Sequence, residues 1–191
     1  MTTAEQRAVA AATEEADRAA LRAGERPALA AIWQALGRVP DPEIPVVSVV
    51  ELGIVREVAW RGDRLHVRVT PTYSGCPATD LIMQGIGEAL EACGVVAYDV
   101  QTVLAPAWTT DWIAPEAKAK LRAFGIAPPG AVAARIDVTG ISPLRRAREA
   151  IACPRCGSTG TSLLAQFGST ACKALYRCEA CREPFDYFKP H

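Results

Sequence analysis

Hydrophobic and polar residues alternate in ways that predict both strands and helices in the middle of the chain. From Leu65 to Thr70 every second residue is apolar, with His66 and Arg68 between them, which is typical of a half-buried strand. We expect His66, on the outward face, to be solvated. Upstream, apolar residues at three- and four-residue spacing predict a short helix over 27–36: Leu29, Ile32, Trp33 and Leu36.

Further strands are predicted at 46–50, 54–60 and 95–104, and Gly62-Asp63 supplies a turn before the strand at 65–70. A longer helix is predicted from Pro77 to Cys93, and a last one from Pro115 to Gly125 with Leu121 and Phe124 directed inward. The buried face of the longer helix is expected to comprise Ile82, Ile86, Ala89, Leu90 and Cys93. The fold class is therefore α+β, a small mixed or antiparallel sheet with helices on one side.

Two C-x-x-C pairs near the end of the chain predict a metal site. Cys153 and Cys156 form the first pair, Cys178 and Cys181 the second, and 21 residues separate the pairs. Two such turns facing each other place four sulfur atoms in the tetrahedral arrangement that zinc prefers. Gly157, directly after the first pair, allows the positive φ that such a turn often requires.

The segment that holds these pairs, residues 153–191, is 39 residues long, about the size below which a chain seldom builds an adequate core unaided. Short apolar stretches at 161–165, 173–177 and 184–188 are expected to form strands, so the segment is predicted to be a zinc ribbon whose metal stabilises the fold. Two disulfides or a [4Fe–4S] cluster on the same cysteines are the alternatives. Cys172 is compatible with three roles, an alternative zinc ligand, a labile thiol or a small buried residue, of which we favour the last.

Cys76 is the cysteine whose position indicates chemistry rather than packing. Pro77 is well placed as a first helical residue, which makes Cys76 the predicted N-cap. A thiol there is expected to favour the thiolate, the form that attacks electrophiles or binds metals. Cys93, by contrast, lies on the predicted buried face and is expected to be packing.

The remaining segments and the charge distribution add less. Residues 1–27 are expected to be a helical or disordered extension and residues 129–152 a linker, on either side of an α+β domain at 28–128. Residues 1–140 carry 13 basic and 17 acidic side chains, and residues 141–191 carry 8 and 4. A short basic run at 145–148 accounts for much of that surplus and is expected to be a solvated linker rather than a nucleic-acid patch. With no secretory leader or membrane span in the pattern, we expect a cytoplasmic protein.

Several motifs together resemble a known family. The motifs Asp41-Pro-Glu-Ile-Pro, Glu51-Leu-Gly-Ile-Val and Thr70-Pro-Thr-Tyr-Ser-Gly-Cys-Pro are similar to those of the iron–sulfur cluster assembly (SufT-like) domain family, over about residues 28–128. The strings Trp108-Thr-Thr-Asp-Trp, Gly125-Ile-Ala-Pro-Pro and Phe167-Gly-Ser-Thr-Ala-Cys extend the likeness. The chain as a whole then resembles the accessory-subunit family of phenylacetyl-CoA epoxidase systems.

The resemblance implies an accessory role in phenylacetate catabolism, the maturation or metal loading of the oxygenase and reductase subunits that would be its partners. It also implies that Cys76, with Asp41 or Glu43, transiently holds iron or an iron–sulfur cluster, in addition to structural zinc. A single thiol leaves a cluster short of ligands, so a second protomer, a partner or a small thiol would complete the shell. Asp41-Pro-Glu-Ile-Pro is equally compatible with a rigid turn.

The residues agree that this chain is not the oxygenase itself. It has two histidines and no Glu-x-x-His motif, which a bundle-type di-iron oxygenase needs, and it lacks dinucleotide- and nucleotide-binding glycine loops. Two other function classes remain open. One is a zinc-ribbon module that binds a protein or, less expected, nucleic acid. The other is a cysteine-dependent enzyme centred on Cys76, which is disfavoured because neither histidine is near it in sequence.

Overall fold

The computed structural model describes residues 26–130 and 150–190. We call these the central region and the ribbon. The predicted N-terminal extension, the arginine-rich part of the linker, a possible strand at 135–138 and His191 lie outside the described residues.

The central region contains a three-stranded mixed sheet, in the order β1-β2-β3, formed by β1 (Val55–Arg61), β2 (Arg64–Val69) and β3 (Tyr98–Thr102). Strands β1 and β2 form an antiparallel hairpin whose turn places Gly62 at a φ of 58°. Strand β3 runs parallel to β2, and Leu65 pairs with Tyr98. The predicted alternation in β2 is confirmed, because Leu65, Val67 and Val69 are all buried.

Three helices accompany this sheet: α1 (Leu29–Leu36), α2 (Thr79–Ala92) and α3 (Pro115–Phe124). Helix α2 connects β2 to β3, as a crossover between parallel strands requires. Helix α3 begins with a proline in its first turn and ends at Gly125, whose φ of 97° closes the helix in the left-handed conformation. The predicted α+β class is confirmed.

A second sheet joins the end of the central region to the strands of the ribbon. Its order is β4-β7-β6-β5, with β4 (Ile126–Ala127), β5 (Thr161–Ala165), β6 (Lys173–Cys178) and β7 (Pro184–Phe188). Strands β5, β6 and β7 form the predicted antiparallel ribbon. The sequence did not predict β4, a two-residue strand at the end of the central region that pairs in parallel with β7. The ribbon is therefore hydrogen-bonded directly to the central region.

Several expectations about individual residues are wrong. The predicted strand at 46–50 is a series of turns with one isolated bridge, from Pro40 to Ser48, because this buried segment bonds locally rather than to a neighbouring strand. Phe124, predicted to be directed inward, is 53% exposed. The strand predicted at 95–104 is shorter, at Tyr98–Thr102.

Two apolar clusters form the interior. The larger combines α1, the sheet and α2, and it includes two ribbon residues, Cys172 and Phe188. The smaller consists of ribbon residues, among them Phe185 and Tyr187, together with Ala127 of β4. Phe188 lies 5.9 Å from Trp108, ring centre to ring centre, so an aromatic contact reinforces the backbone pairing of β4 with β7. In the part of the chain that the structure describes, no helix is both long and apolar enough to span a bilayer.

Candidate functional site

The four cysteines of the C-x-x-C pairs come together at one end of the ribbon. Their sulfur atoms all lie within 4.8 Å of one another, and no other set of three or more potential ligands among the described residues is as compact. The Cys153 and Cys181 sulfurs are 3.8 Å apart, and those of Cys156 and Cys178 3.5 Å. A tetrahedral site with metal–sulfur bonds of about 2.3 Å requires a sulfur separation of roughly 3.8 Å. The spacing fits a metal and is far longer than the roughly 2.05 Å of a disulfide bond.

The two pairs adopt the same backbone conformation. In each, the N–H of the residue after the second cysteine donates to the carbonyl of the first, from Gly157 to Cys153 at 2.9 Å and from Arg182 to Cys178 at 3.0 Å. Both of those following residues have positive φ, 76° at Gly157 and 67° at Arg182. The positive φ expected at Gly157 is confirmed, whereas Arg182 accepts the same strained conformation without being glycine. Such matched turns direct the sulfurs of each pair toward those of the other.

The electrostatics of the cluster favour the thiolate at Cys178, whereas burial and the neighbouring sulfurs raise the pKa of Cys181 to about 12. The backbone N–H of Cys181, followed by that of Ala180, points at the Cys178 sulfur and lowers the pKa of Cys178 to about 6. A thiol with that pKa is ionised at neutral pH, the form in which cysteine binds a metal ion. The cluster is therefore built for metal binding.

Cys76 lies in a turn before α2 rather than at the N-cap. Helix α2 begins at Thr79 with Ala78 as its cap, two residues later than predicted. The Cys76 carbonyl accepts hydrogen bonds from the Thr79 backbone N–H at 3.2 Å and the Thr79 hydroxyl at 2.8 Å. The prediction of an N-cap thiol is therefore wrong, because the Cys76-Pro77 segment forms a separate turn that Thr79 closes.

A narrow pocket between the central region and the ribbon contains Cys76. Its walls include Asp41, Glu43, Cys172 and Phe188, so residues from both regions line it. About 10 Å³ of the pocket is open to a water-sized sphere, which is the room that one water molecule needs. The pocket is therefore sized for a single small species rather than for an organic substrate.

The Cys76 thiol is protonated more firmly than an ordinary cysteine. Burial is the largest cause of its raised pKa, and the charges of Glu43 and Asp41 raise that pKa further. The backbone N–H of Ala78 and the hydroxyl of Thr79 oppose these effects without reversing them. The surroundings of Cys76 thus disfavour the thiolate expected from the helix dipole, and a cation entering the pocket would favour its formation.

The two carboxylates beside Cys76 are not equivalent. One oxygen of Asp41, Oδ1, accepts the backbone N–H groups of Glu43 at 2.9 Å and Ile44 at 2.8 Å, so Asp41 forms the rigid turn that the prolines predict. Glu43 is half-buried, and burial followed by the Asp41 charge raises the pKa of its carboxyl. Its side chain is therefore the better placed of the two to reach a ligand.

Sequence reasoning missed how the ribbon contributes to this pocket. Cys172 is only 4% exposed and packs with the core of the central region, and its sulfur lies 3.0 Å from the Thr170 hydroxyl. Thr170 also hydrogen-bonds the Glu43 carboxylate. The buried Lys173 lies 3.6 Å from Asp186. In the sequence, the contribution of Cys172 to the pocket was indicated only by its position in the string Phe167-Gly-Ser-Thr-Ala-Cys, which resembles the family.

Other aromatic and histidine side chains have structural partners. The Trp108 indole N–H donates to the Leu52 carbonyl at 2.9 Å, and Arg56 stacks over the Trp112 ring at 3.5 Å. His66 was expected to be solvated, but its Nδ1 lies 3.5 Å from the Asp99 carboxylate on the neighbouring strand. The side chains of Trp108, Trp112 and His66 do not line the Cys76 pocket, although Leu52 does.

Comparison with known proteins matches both regions. Residues 29–104 match the family model described as iron–sulfur cluster assembly protein, and residues 140–189 match the one described as PaaD zinc beta ribbon domain. A protein of Escherichia coli K12, provisionally named as the D component of 1,2-phenylacetyl-CoA epoxidase, is 49% identical over 158 residues, which is 83% of this chain and 90% of that protein.

Shorter relatives match the central region alone. The Fe-S protein maturation auxiliary factor YitW of Bacillus subtilis is 37% identical over 92 residues, 47% of this chain and 89% of the relative. A domain of unknown function, DUF59, solved from Bacillus anthracis is 29% identical, covers 47% of this chain and 87% of that domain, and superposes with a TM-score of 0.43. The long match and the two family models together establish that this chain belongs to the PaaD family of phenylacetyl-CoA epoxidase components, with an iron–sulfur cluster assembly domain followed by a zinc ribbon.

Proposed function

We propose that this protein is an accessory maturation factor of a phenylacetyl-CoA epoxidase. In this role it holds iron, as an ion or within an iron–sulfur cluster, at Cys76 and passes it to the oxygenase or reductase subunits. The four-cysteine cluster of the ribbon binds zinc permanently and has a structural role. The observation that carries the proposal is the pocket in which Cys76 lies beside the carboxylates of Asp41 and Glu43.

The ligand set of the pocket suits a metal that must leave again. A thiol and carboxylates together are able to bind iron(II), but their atoms do not form a compact set of three among the described residues, unlike the sulfurs of the four-cysteine cluster. A cluster normally takes four protein ligands, so a partner would supply what this pocket lacks. Incomplete coordination favours transfer over storage.

The pocket is poorly suited to cysteine-dependent catalysis. No histidine lines it among the described residues, and burial followed by the nearby carboxylates raises the pKa of Cys76. A nucleophilic cysteine needs a base or cation that lowers its pKa. Membership of the PaaD family and the likeness to a named maturation factor point to metal handling instead.

The proposal is tested by co-expressing the protein with the oxygenase and reductase subunits. With Cys76→Ser, we expect the purified partners to contain much less iron and to epoxidise phenylacetyl-CoA correspondingly slowly. Cys93→Ser is the matched control, because Cys93 lies at the end of α2, is also partly buried, and does not line the pocket. Partner iron contents equal to wild type in the Cys76 variant would remove the pocket from the function.

A second candidate function is a zinc-ribbon module that binds a partner subunit without carrying metal. The exposed Phe167, at 66%, and Leu164, at 53%, favour this because they place apolar surface on the ribbon. Under that function the Cys76→Ser protein would still support full iron loading, whereas Phe167→Ser with Leu164→Ser would abolish co-purification with the partners. The two functions thus give opposite results in the same co-expression experiment.

A further inference from the structure

A surface groove lies between helix α3 and the turn of the first C-x-x-C pair. Its volume is about 660 Å³, whereas the Cys76 pocket has room for one water molecule. Cavities that hold organic groups measure roughly 300–1,000 Å³. Helix α3 and the segment after β4 line the groove from the central region, and Pro154 and Arg155 line it from the ribbon. The groove is therefore complete only when both regions are folded and in contact.

Three cationic side chains line this groove, and among the described residues no carboxylate does. Lys118 and Arg122 lie four residues apart on α3, where like charges repel each other, and Arg155 comes from the ribbon. Lys120 on the same helix is, by contrast, paired with Glu51 at 2.6 Å. In the part of the chain that the structure describes, no ion pair involves the three groove cations. A bound anion would therefore offset a repulsion that nothing there offsets.

The groove also has an apolar wall. Phe124, the last residue of α3, is 53% exposed and lies alongside three prolines: Pro128, Pro129 and Pro154. Aromatic residues and arginine are the types enriched at protein interfaces. Half of the ten lining residues are exposed, so the groove would cover one side of a peptide but would not enclose a small molecule. The shape therefore fits a segment of a protein.

The charges favour an acidic protein segment over a nucleic acid. Residues 1–140, which supply most of the groove, carry 17 acidic and 13 basic side chains. That excess of negative charge opposes an extended phosphate backbone, which needs a row of cations along its path. A short acidic segment needs only the cations of the groove, because the guanidinium groups of Arg122 and Arg155 can each donate two parallel hydrogen bonds to one carboxylate.

We propose that this groove binds an acidic segment of an epoxidase subunit, with carboxylates on Lys118, Arg122 and Arg155 and an apolar side chain against Phe124. The inference rests on the proposed function and deepens it, because it names the surface through which the partner is held. Since Arg155 lies within the first C-x-x-C pair, folding of the four-cysteine cluster positions one of the three cations.

The test measures the affinity of the full-length protein, with zinc in the ribbon, for the purified oxygenase and reductase subunits by biolayer interferometry. Arg122→Gln with Arg155→Gln should weaken binding to one of them by roughly tenfold or more and make the remaining binding less sensitive to salt. The matched control is Arg38→Gln with Arg177→Gln, which neutralises one exposed arginine in each region away from the groove. Circular dichroism and zinc content check that every variant is folded.

A cross-linking experiment identifies the occupant with all three cations in place. Phe124 is replaced by its photoreactive analogue benzoylphenylalanine, the complex is irradiated, and the attached partner peptide is sequenced by mass spectrometry. We expect a segment with several carboxylates and an apolar residue. A cross-linked segment without carboxylates would overturn the proposal.

The remaining outcomes separate this inference from the proposed function. Unchanged affinity in the Arg122 and Arg155 variant, or affinity lost only with Phe167→Ser and Leu164→Ser, overturns the groove and leaves the Cys76 pocket in place. Wild-type protein that binds neither subunit overturns the groove as well, and binding of a short single-stranded DNA in that case would identify a nucleic acid as its occupant. Groove-dependent binding together with undiminished partner iron in Cys76→Ser overturns the proposed function instead.

Discussion

Replacing Phe188 by alanine should release the ribbon from the central region while leaving the ribbon's own core and its metal in place. Phe188 is 1% exposed, contacts the core of the central region and lies 5.9 Å from the Trp108 ring. Phe185, three residues earlier on the same strand, is 4% exposed but packs within the ribbon. The pair therefore separates docking of the ribbon from its internal stability.

The magnitude follows from the volume removed. Truncating a buried phenylalanine to alanine costs about 3–5 kcal/mol, of which the aromatic pair contributes roughly 0.5–1.5 kcal/mol. If that cost falls on the docked state, the undocked population rises by roughly 10²- to 4 × 10³-fold, since about 1.4 kcal/mol corresponds to a factor of ten. Cys172 would then be exposed for much more of the time.

The assay is alkylation of Cys172 under native conditions, with amide hydrogen exchange at β4 as an independent probe of the β4–β7 pairing. Phe188→Ala should accelerate both by a similar factor, whereas Phe185→Ala should lower the affinity for the ribbon metal before it affects β4. Cys172 protection that is unchanged in folded Phe188→Ala protein would refute the argument that this aromatic contact holds the two regions together.

Three further predictions concern the metal, the charges and the backbone. Removing the ribbon metal with a chelator, or replacing one ligand by Cys178→Ser, should unfold the ribbon, because such metals contribute roughly 10–16 kcal/mol to the free energy of folding. Amide hydrogen exchange measures this as a loss of protection in β5–β7 with protection retained in α2. Glu43→Gln should speed iodoacetamide labelling of Cys76 at neutral pH, because Glu43 raises the pKa of that thiol and its removal lowers it; slower labelling would contradict the assignment. Gly53→Ala should destabilise the fold by more than about 2 kcal/mol in urea unfolding, since the φ of Gly53 is +69° and an added Cβ would lie 2.7 Å from atoms of Trp112. Gly62→Ala is the control, with a φ of +58° but open space around the added Cβ, and it should cost only about 1 kcal/mol. Equal losses in the two glycine variants would show that the close contact is relieved.

Elements with strong local patterns could be predicted from the sequence. The alternation in β2 specifies its buried face, and Pro115 with Gly125 marks both ends of α3. The predicted strand at 46–50 shows the limit of such patterns. Val47 and Val49 are buried, but the Val47 carbonyl accepts from Asp41 N–H, so the segment is apolar because the core covers it and not because it lies in a sheet.

Of the two cysteine sites, the sequence predicts the four-cysteine cluster but not the Cys76 pocket. The spacing of a C-x-x-C pair is local, so the four-cysteine cluster is readable from the chain. The pocket cannot be predicted from a local pattern. Cys76 and Cys172 line it together only because the ribbon docks on the central region, which depends on the two-residue strand β4 and on Phe188. The thiolate expected at Cys76 is disfavoured for the same reason, since burial is the largest cause of the raised pKa of this thiol.

The two cysteine sites differ in a way that explains why one chain contains both. In the four-cysteine cluster, matched turns hold every sulfur within 4.8 Å, and backbone N–H groups already favour the thiolate at Cys178. A metal bound by all four sulfurs is expected to dissociate only when the ribbon unfolds, and therefore slowly. Cys76 is half-buried beside carboxylates, and burial followed by their charges raises its pKa, so binding a metal there would displace a proton that release would restore. Under the proposed function, cysteine serves permanent binding in the four-cysteine cluster and transfer at Cys76, and the difference lies in backbone geometry and burial as well as in the ligands.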